Sequence, residues 1–451
     1  MSGESARVAV VGAGLAGLSA AVALKKAGAH VEIFERMRIP GGKATSFTVD
    51  GVEVDNGQHV ILACCTEFID FVEQLGMSGS LHMQSRFAVS MLARGSRPAR
   101  LVASMLPAPL HLTPSFARYP HLKLRDKVQI GRALLAARRD RGPQGDMASW
   151  LTRHHQSRAT RRAFWDPFLV PALNAPLEEA AAADALFVIR TAFLSSRAAA
   201  RIGYTTVPLA RLAEAAAARA DAVHLRTAVV SLDYQGAHAS GLHTESERRS
   251  DFDAFVLAVP PQRLAGMLGP EQELGVSGLD SFRTQPIVDV HLWYALPART
   301  RLLNEAGFAA LLDSPVQWVF EKGPGYLCCS LSAAQDLISL PERELVDRCH
   351  RELAAVLPLL RDIAPIRGAA TRDPDATFVP TPGLRRPGPA TAVGNVAVAG
   401  AWTDTGWPAT MESAVRSGRA ATAHLLRTQP SWAERNANAP ASAVEELARA
   451  V

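Results

Sequence analysis

Cysteine is scarce in this chain, with five in 451 residues, at positions 64, 65, 328, 329 and 349. An odd number without Cys-x-x-Cys spacing argues against a disulfide framework and offers no metal-binding pattern. Free thiols in a reducing cytosol are the expected state. Also lacking is any dense Lys/Arg run interleaved with aromatics. The net charge of +5 is carried mostly by scattered Arg, which makes nucleic acid a poor partner. There is no charged leader with a cleavage site and no uninterrupted apolar stretch of membrane-spanning length; the uncharged run at residues 8–24 is broken by Gly12, Gly14 and Gly17. The chain is therefore expected to be soluble or seated on a membrane surface. Internal repeats are absent too. Apolar residues at 48% and charged residues at 20% are ordinary for a soluble globular enzyme, and the length implies two or three domains.

What the chain does have is concentrated at its start. Residues 7–11, Arg-Val-Ala-Val-Val, run straight into Gly12-x-Gly14-x-x-Gly17, and an Ala- and Leu-rich run to Lys26 follows, closed by Gly28. This is a strand, a tight turn and a helix. Gly12 permits the turn, Gly14 lets the backbone approach a pyrophosphate, Gly17 lets helix and strand pack closely, and the helix N-terminus supplies N–H donors. A second strand at residues 30–34 ends at Glu35, 18 positions after Gly17, where a carboxylate can accept from a ribose hydroxyl. The ligand carries an adenosine diphosphate group; the spacing does not distinguish NAD from FAD.

Beyond Glu35, the loop from Arg36 to Ala44 contains Gly41, Gly42 and Lys43, able to bring backbone N–H groups and one cation to the same pyrophosphate. Its competing reading is an exposed basic turn. Residues 47–54 read as a hairpin around Asp50-Gly51, leading into the polar cluster Asp55-Asn-Gly-Gln-His59, which serves either a turn or a ligand. Between residues 81 and 127 five prolines break an apolar run flanked by cations. Such a segment suits docking on an anionic lipid layer, through residues 101–116 with Arg97 and Arg100 beside them, or else a lid over a buried substrate. Helices are expected over 124–139, 159–168, 178–190 and 207–220. The prolines within residues 165–174 are expected to preclude a long regular helix there. Residues 223–232 and 253–261, the latter ending in a proline turn, read as further strands of the nucleotide-binding domain, resumed after an insertion. A second insertion, with strands at 287–294, 316–321 and 326–331, implies a mixed sheet. The last ordered block is a strand near 394–400, a polar turn, and a helix with Pro408 at its start; a loosely ordered tail with a short helix at 443–450 is expected to follow.

The combination of the glycine motif and Glu35 with Gly41-Gly42-Lys43, Asp55-Asn-Gly-Gln-His59 and the closing Val398-Ala-Gly-Ala-Trp-Thr403 resembles the flavin amine oxidase and phytoene desaturase superfamily. Within it, Phe164-Trp-Asp-Pro-Phe168, Ala172-Leu-Asn174 and Trp402-Thr-Asp-Thr-Gly-Trp-Pro-Ala-Thr-Met-Glu412 are similar to the squalene-associated FAD-dependent desaturases, the hydroxysqualene dehydroxylases. The resemblance covers residues 7–426. It implies an α/β fold: a Rossmann-like FAD-binding domain of the glutathione-reductase type at 1–80, 221–263 and 390–427, interleaved with an α+β substrate domain at 81–220 and 264–389. Residues 94–127 would be the membrane-docking segment and 428–451 the tail.

Carried over, the family places the FAD pyrophosphate on Gly12, Gly14, Leu15, Ala16 and Gly17, and the adenosine ribose on Glu35. The pyrophosphate or ribityl chain would lie near Arg36, Gly42 and Lys43. Gly57 and His59 would lie beside the flavin, Val230 would meet the adenine edge through its backbone, and Ala409, Thr410 and Met411 would present N–H groups to the pyrimidine side. The closing strand's Gly400 is followed by Ala401 where the family usually has an acid bonding the ribityl chain. Either Asp404 or backbone takes over, or FAD is held more weakly.

The reaction implied is reductive removal of the hydroxyl of hydroxysqualene, giving squalene, which needs an acid for the departing oxygen and a dry cavity. His59 is the candidate acid, against a structural, hydrogen-bonded histidine; Asp404 is the next. Trp402, Trp407 and Tyr294 are candidates for cation–π stabilisation, against plain packing. An oxidative phytoene-type desaturase is the nearest competitor. An amine oxidase is disfavoured because no lysine near the flavin or paired aromatic cage is identifiable, and a non-catalytic prenyl-binding escort is disfavoured by the complete FAD fingerprint. The implied partners are a long-chain isoprenoid, the membrane surface and upstream squalene-synthase-like enzymes; the implied location is cytoplasmic, on the membrane's inner face.

Overall fold

Segments hundreds of positions apart assemble the first sheet of the computed structural model, which describes residues 5–49, 51–140, 142–267, 274–304 and 306–429. Five parallel strands lie in the order Ala222–Leu225, His30–Glu35, Arg7–Val11, Ala254–Leu257, Val396–Val398. Their near-continuous apolar runs are those of a sheet covered on both faces; Val10 stands opposite both Ile33 and Val256. The helices Leu15–Lys26 and Met411–Thr428 pack together on one face. An ideal Cβ on Gly418 would fall 2.2 Å from the Ala16 carbonyl oxygen, so the crossing requires glycine there. Ser19 Oγ donates to the Val415 carbonyl at 2.9 Å. Leu18, Leu24, Val415 and Leu425 are fully buried around this contact, each contributing roughly 1.5–3 kcal/mol. This is the expected Rossmann-like half.

The second half is built on seven strands in the order Arg367–Phe378, Thr284–Trp293, Tyr326–Ser332, Trp318–Gly323, Phe308–Leu311, Ala88–Leu92, Ala99–Val102. Side chains alternate across it. Val288, Val290, Leu292 and Tyr294 pack with Leu345, Cys349 and Leu353 of the helix Glu342–Val356, leaving Asp289, His291 and Trp293 to the other face. Tyr294 is therefore core, its hydroxyl 3.2 Å from His350 Nδ1, and not a pocket aromatic.

A helical layer, including Leu124–Arg139, Asp166–Leu173 and Ala182–Val188, buries Trp150, Trp165, Leu169 and Phe193. The fold is thus α/β with an interleaved α+β portion.

Several local expectations are corrected. The strand expected at 223–232 is two, Ala222–Leu225 and Val229–Gln235, in different sheets. Arg226 takes φ 54 between them, and the turn is pinned by Arg226 N to Met37 O at 2.9 Å and Thr227 N to Glu35 O at 2.8 Å. As expected, no long regular helix crosses 165–174: after a π-helical turn at Arg161–Trp165, an eight-residue helix runs Asp166–Leu173 with Pro167 in its first turn and Pro171 inside. Pro171 cannot donate to the Pro167 carbonyl, four residues back; Trp318 Nε1 does so instead at 3.0 Å. The closing helix starts at Met411, not Pro408, with the Thr410 side chain accepting from Ser413 N as its cap. In the 94–127 segment Leu101 is core, and the exposed apolar side chains are Met105, Leu106, Leu110 and Leu124, with Val128 just beyond. Asp50 of the hairpin tip, the tail from residue 430 and its expected helix at 443–450 lie outside the described residues.

Candidate flavin cradle and the polar sheet face

The opening strand delivers Gly12 into a turn with φ 100. A Cβ at Gly12 would meet the Ala258 carbonyl at 2.4 Å, and one at Gly17 would meet the Gly12 carbonyl at 1.9 Å; both glycines are demanded by the fold itself. Gly14 differs: nothing lies within 4 Å of its ideal Cβ. It is the helix N-cap, and the first-turn N–H groups of Leu15, Ala16 and Gly17 precede the first intrahelical bond, Leu18 N to Gly14 O at 2.9 Å. The 36–43 loop folds back on this turn, with Gly41 N donating to Ala13 O at 2.8 Å and Gly14 bridged to Gly41. Open space above Gly14 beside free helix donors suits a pyrophosphate.

Glu35 is buried at the end of its strand. Its Oε2 accepts from Ala13 N at 2.7 Å and its Oε1 from Met37 N at 2.8 Å, which holds the carboxylate rigidly beside the glycine turn and leaves further lone pairs for a ribose hydroxyl. Arg36 is exposed. Lys43 Nζ stands 3.6 Å from Asp373 Oδ2 of the second sheet, while Gly42 abuts Gly14. Val230 occupies a β-bulge: Val229 faces Thr244 and Ser231 faces His243, so Val230 has no ladder position and its backbone is available at an edge.

On the closing segment, Gly400 N donates to Ser417 Oγ at 2.9 Å, and the Ala401 carbonyl accepts from Ser413 Oγ at 3.1 Å. Ala409 and Thr410 lead into the helix at Met411. Asp404 is 64% exposed and lies 3.4 Å from the Arg386 guanidinium, a wet, ion-paired setting unlike the dry one sought for an acid. Trp402 is fixed by Nε1 to Val259 O at 3.0 Å, and Trp407 packs on Phe187 and beneath Arg416. Glu412, unflagged as a site residue, caps the helix Thr66–Gln74, accepting from Phe68 N at 2.8 Å and Glu67 N at 3.2 Å, and pairs with Arg416 at 2.7 Å.

Residues 55–59 lie against the polar face of the second sheet. Asp55 accepts from Ser46 Oγ at 2.7 Å and Leu209 N at 2.9 Å, and stands 3.6 Å from Lys322 Nζ. His59 Nδ1 donates to the Gly57 carbonyl at 2.9 Å, so its Nε2 is the ring's acceptor; burial pushes the imidazole below its ordinary range, against the pull of the Gly57 bond and Asp55.

Sequence reading missed Lys322, and with it the stacked pair Trp293 and Tyr326, 4.6 Å apart. Their only advance signal was alternation within strands whose pairing was unknown. A separate cleft of about 450 Å³, lined by Arg162, Asp166, Leu311 and Gln317 among others, shares no residue with the cradle. Among the described residues no cluster could hold a metal ion, and no helix is long and apolar enough to cross a membrane.

A family model described as flavin containing amine oxidoreductase matches residues 15–426. Over 425 residues the chain is 29% identical to a hydroxysqualene dehydroxylase of Zymomonas mobilis, with 91% of this chain and 97% of the relative covered. One from Rhodopseudomonas palustris is 29% identical over 433 residues, covering 92% and 97%. A probable zeta-carotene desaturase of Synechococcus elongatus is 24% identical over 483 residues, covering 94% and 99%. Among solved structures, putrescine oxidase bound to putrescine superposes with a TM-score of 0.69 at 19% identity, covering 94% of this chain and 99% of that one, a likeness of fold.

Proposed function

The chain belongs to the flavin containing amine oxidoreductase family, and from that premise we propose that it reductively removes the hydroxyl of hydroxysqualene to give squalene. It is an FAD-dependent oxidoreductase. The observation that carries the substrate is the likeness to hydroxysqualene dehydroxylases along more than nine-tenths of both chains. Oxidative desaturation of a polyene is the second reading, favoured by the weaker likeness to a carotene desaturase.

In this reading the described parts of 1–80, 221–263 and 390–427 hold FAD, and those of 81–220 and 264–389 enclose the isoprenoid. Gly14, Leu15, Ala16 and Gly17 receive the pyrophosphate, Glu35 the ribose, and Val230 the adenine edge. Arg36, Gly42 and Lys43 flank the phosphates, while Gly400, Ala401, Ala409, Thr410 and Met411 border the ring's pyrimidine side. With the acid absent at Ala401, and Asp404 turned to Arg386, backbone groups hold the ribityl chain. FAD held by these residues would, when reduced, supply the hydride for dehydroxylation.

The protein must exclude water and supply one proton. Aromatic packing serves the first need: Phe168 contacts Phe193 at 5.2 Å and Trp318 at 6.3 Å, and Phe193 contacts Phe87 at 5.7 Å between ring centroids. Substrate reaches the chamber from a bilayer docked at the exposed side chains of Met105, Leu106 and Leu110, beside which Arg197 donates to the Met105 carbonyl at 3.1 Å. In this reading the enzyme works at the cytoplasmic face, next to squalene-synthase-like enzymes that supply its substrate.

The deciding experiment is anaerobic. Photoreduced enzyme is mixed with hydroxysqualene, following flavin absorbance and squalene by mass spectrometry. Flavin reoxidation with stoichiometric squalene is expected; flavin that stays reduced, with no squalene, refutes the reading and sends the oxidised enzyme to polyene substrates.

A further inference from the structure

Asp289 sits mid-strand in Thr284–Trp293, 1% exposed, on the sheet face turned to residues 55–59. An ideal Cβ on Gly57 would stand 3.3 Å from Asp289 Oδ2 and 3.6 Å from His59 Cε1, so the carboxyl and the imidazole border the same side-chain-free spot. The carboxyl accepts from the Ser330 side chain on the paired strand, and its other two contacts are long, Gln58 N at 3.4 Å and Cys328 Sγ at 3.9 Å. A buried acid with two of its three contacts long retains capacity for another polar partner. Two positions along the strand, His291 is equally buried; its Nδ1 meets the Tyr326 hydroxyl at 2.8 Å and its Nε2 has no partner. The titratable and charged groups on this face, from the strand itself and the elements packed against it, are Asp55, His59, His291, Lys322, Tyr326 and Cys328, with Asp373 of the adjoining strand paired to Lys43.

Resting on the dehydroxylation reading above, we propose that Asp289 is the acid of this site, passing its proton to the substrate hydroxyl as the carbon–oxygen bond breaks. The oxygen leaves as water, and the carbon takes hydride from the reduced flavin to form the new carbon–hydrogen bond. One proton and one hydride replace one hydroxyl; the substrate gains two electrons, the flavin loses two, and the resulting Asp289 carboxylate is reprotonated from solvent. His59, the first sequence candidate, commits its Nδ1 proton to the Gly57 carbonyl, leaving the neutral ring an acceptor at Nε2. The electrostatics agree. Burial pushes the Asp289 carboxyl up to about 6, opposed by Ser330, Gln58, Cys328 and the charge of Lys322, whereas burial and Lys322 lower His291 to about 4.

The test uses full-length, FAD-loaded protein with Asp289→Asn and Asp289→Glu. In infrared titration without substrate, wild type should show a protonated-carboxyl stretch that disappears as pH rises through about 6 and is missing from Asp289→Asn. In single turnover with hydroxysqualene, the wild-type rate should fall above about pH 6; Asp289→Asn should be at least ~100-fold slower with that limb gone, and Asp289→Glu should recover rate with a displaced limb.

Asp289→Asn matching the wild-type rate and profile, while wild type makes squalene, overturns the assignment and leaves the dehydroxylation reading intact. Absence of the wild-type infrared band overturns it as well. Wild type that yields no squalene overturns the reading and the assignment together. If Asp289→Asn sheds flavin, the pH limb of Asp289→Glu decides, and an undisplaced limb is negative; loss of flavin from both variants reassigns Asp289 to cofactor retention.

Discussion

Gly14→Ala separates the demands of the ligand from those of the fold. Gly14 has φ −72 and ψ 172, a conformation alanine adopts freely, and its new methyl would meet no protein atom within 4 Å. The cost to the apoprotein is that of a poorer N-cap, about 0.5–1 kcal/mol. The same methyl occupies the space into which a pyrophosphate must come. Overpacking there of about 1–3 kcal/mol weakens FAD binding by roughly 5- to 150-fold. Gly17→Ala is the contrast, since its methyl would lie 1.9 Å from the Gly12 carbonyl oxygen and the turn itself must break. Titrating FAD into apoprotein by fluorescence quenching, alongside urea unfolding of the apoprotein, reads both quantities. Wild-type FAD affinity in Gly14→Ala would refute the placement of the pyrophosphate. An apoprotein loss above about 2 kcal/mol would show that the space over Gly14 matters to the fold.

His59→Ala should retain FAD and lose far less than the ~100-fold in single-turnover rate that removing a proton donor costs; a larger loss with FAD in place would return the acid role to His59. Asp289→Asn should also change stability with pH. The folded carboxyl at about 6 lies above its unfolded value near 3.8, so the native state binds that proton more tightly, and wild type loses stability as pH rises from about 4 to about 6. The asparagine variant should escape that loss, on the order of 3 kcal/mol, in urea melts at pH 5 and pH 8; parallel pH dependence of the two proteins would contradict it. Met105→Asp with Leu110→Asp should weaken binding to anionic vesicles at least ~10-fold in flotation assays, as should charge reversal at Arg97 and Arg100, with added salt lowering the wild-type signal. Binding unchanged in both sets would remove the docking surface.

The cradle was legible in the sequence because its constraints are local. A turn that only glycine can make, a helix that starts on it and a strand that ends in Glu35 are written within about thirty contiguous residues, and Gly12, Gly17 and Glu35 stand in the structure where that reading put them. The closing strand and helix were legible for the same reason, to within the three residues between Pro408 and Met411. Residues 223–232 misled because a β-rich run conceals a turn whose partners, Met37 and Glu35, lie nearly two hundred positions earlier. What the sequence could not show is that Pro171 is tolerated within the short helix because the donor that satisfies the carbonyl it strands is a tryptophan on a distant strand. The polar sheet face had no local signature at all. Asp289 reaches Gln58 across 231 positions, and whether it points to residues 55–59 or into the core under Glu342–Val356 depends on strand register, where a shift of one residue exchanges the two faces. The sequence by itself determined that this chain cradles a dinucleotide; only the tertiary structure decided which acid lies buried beside Gly57.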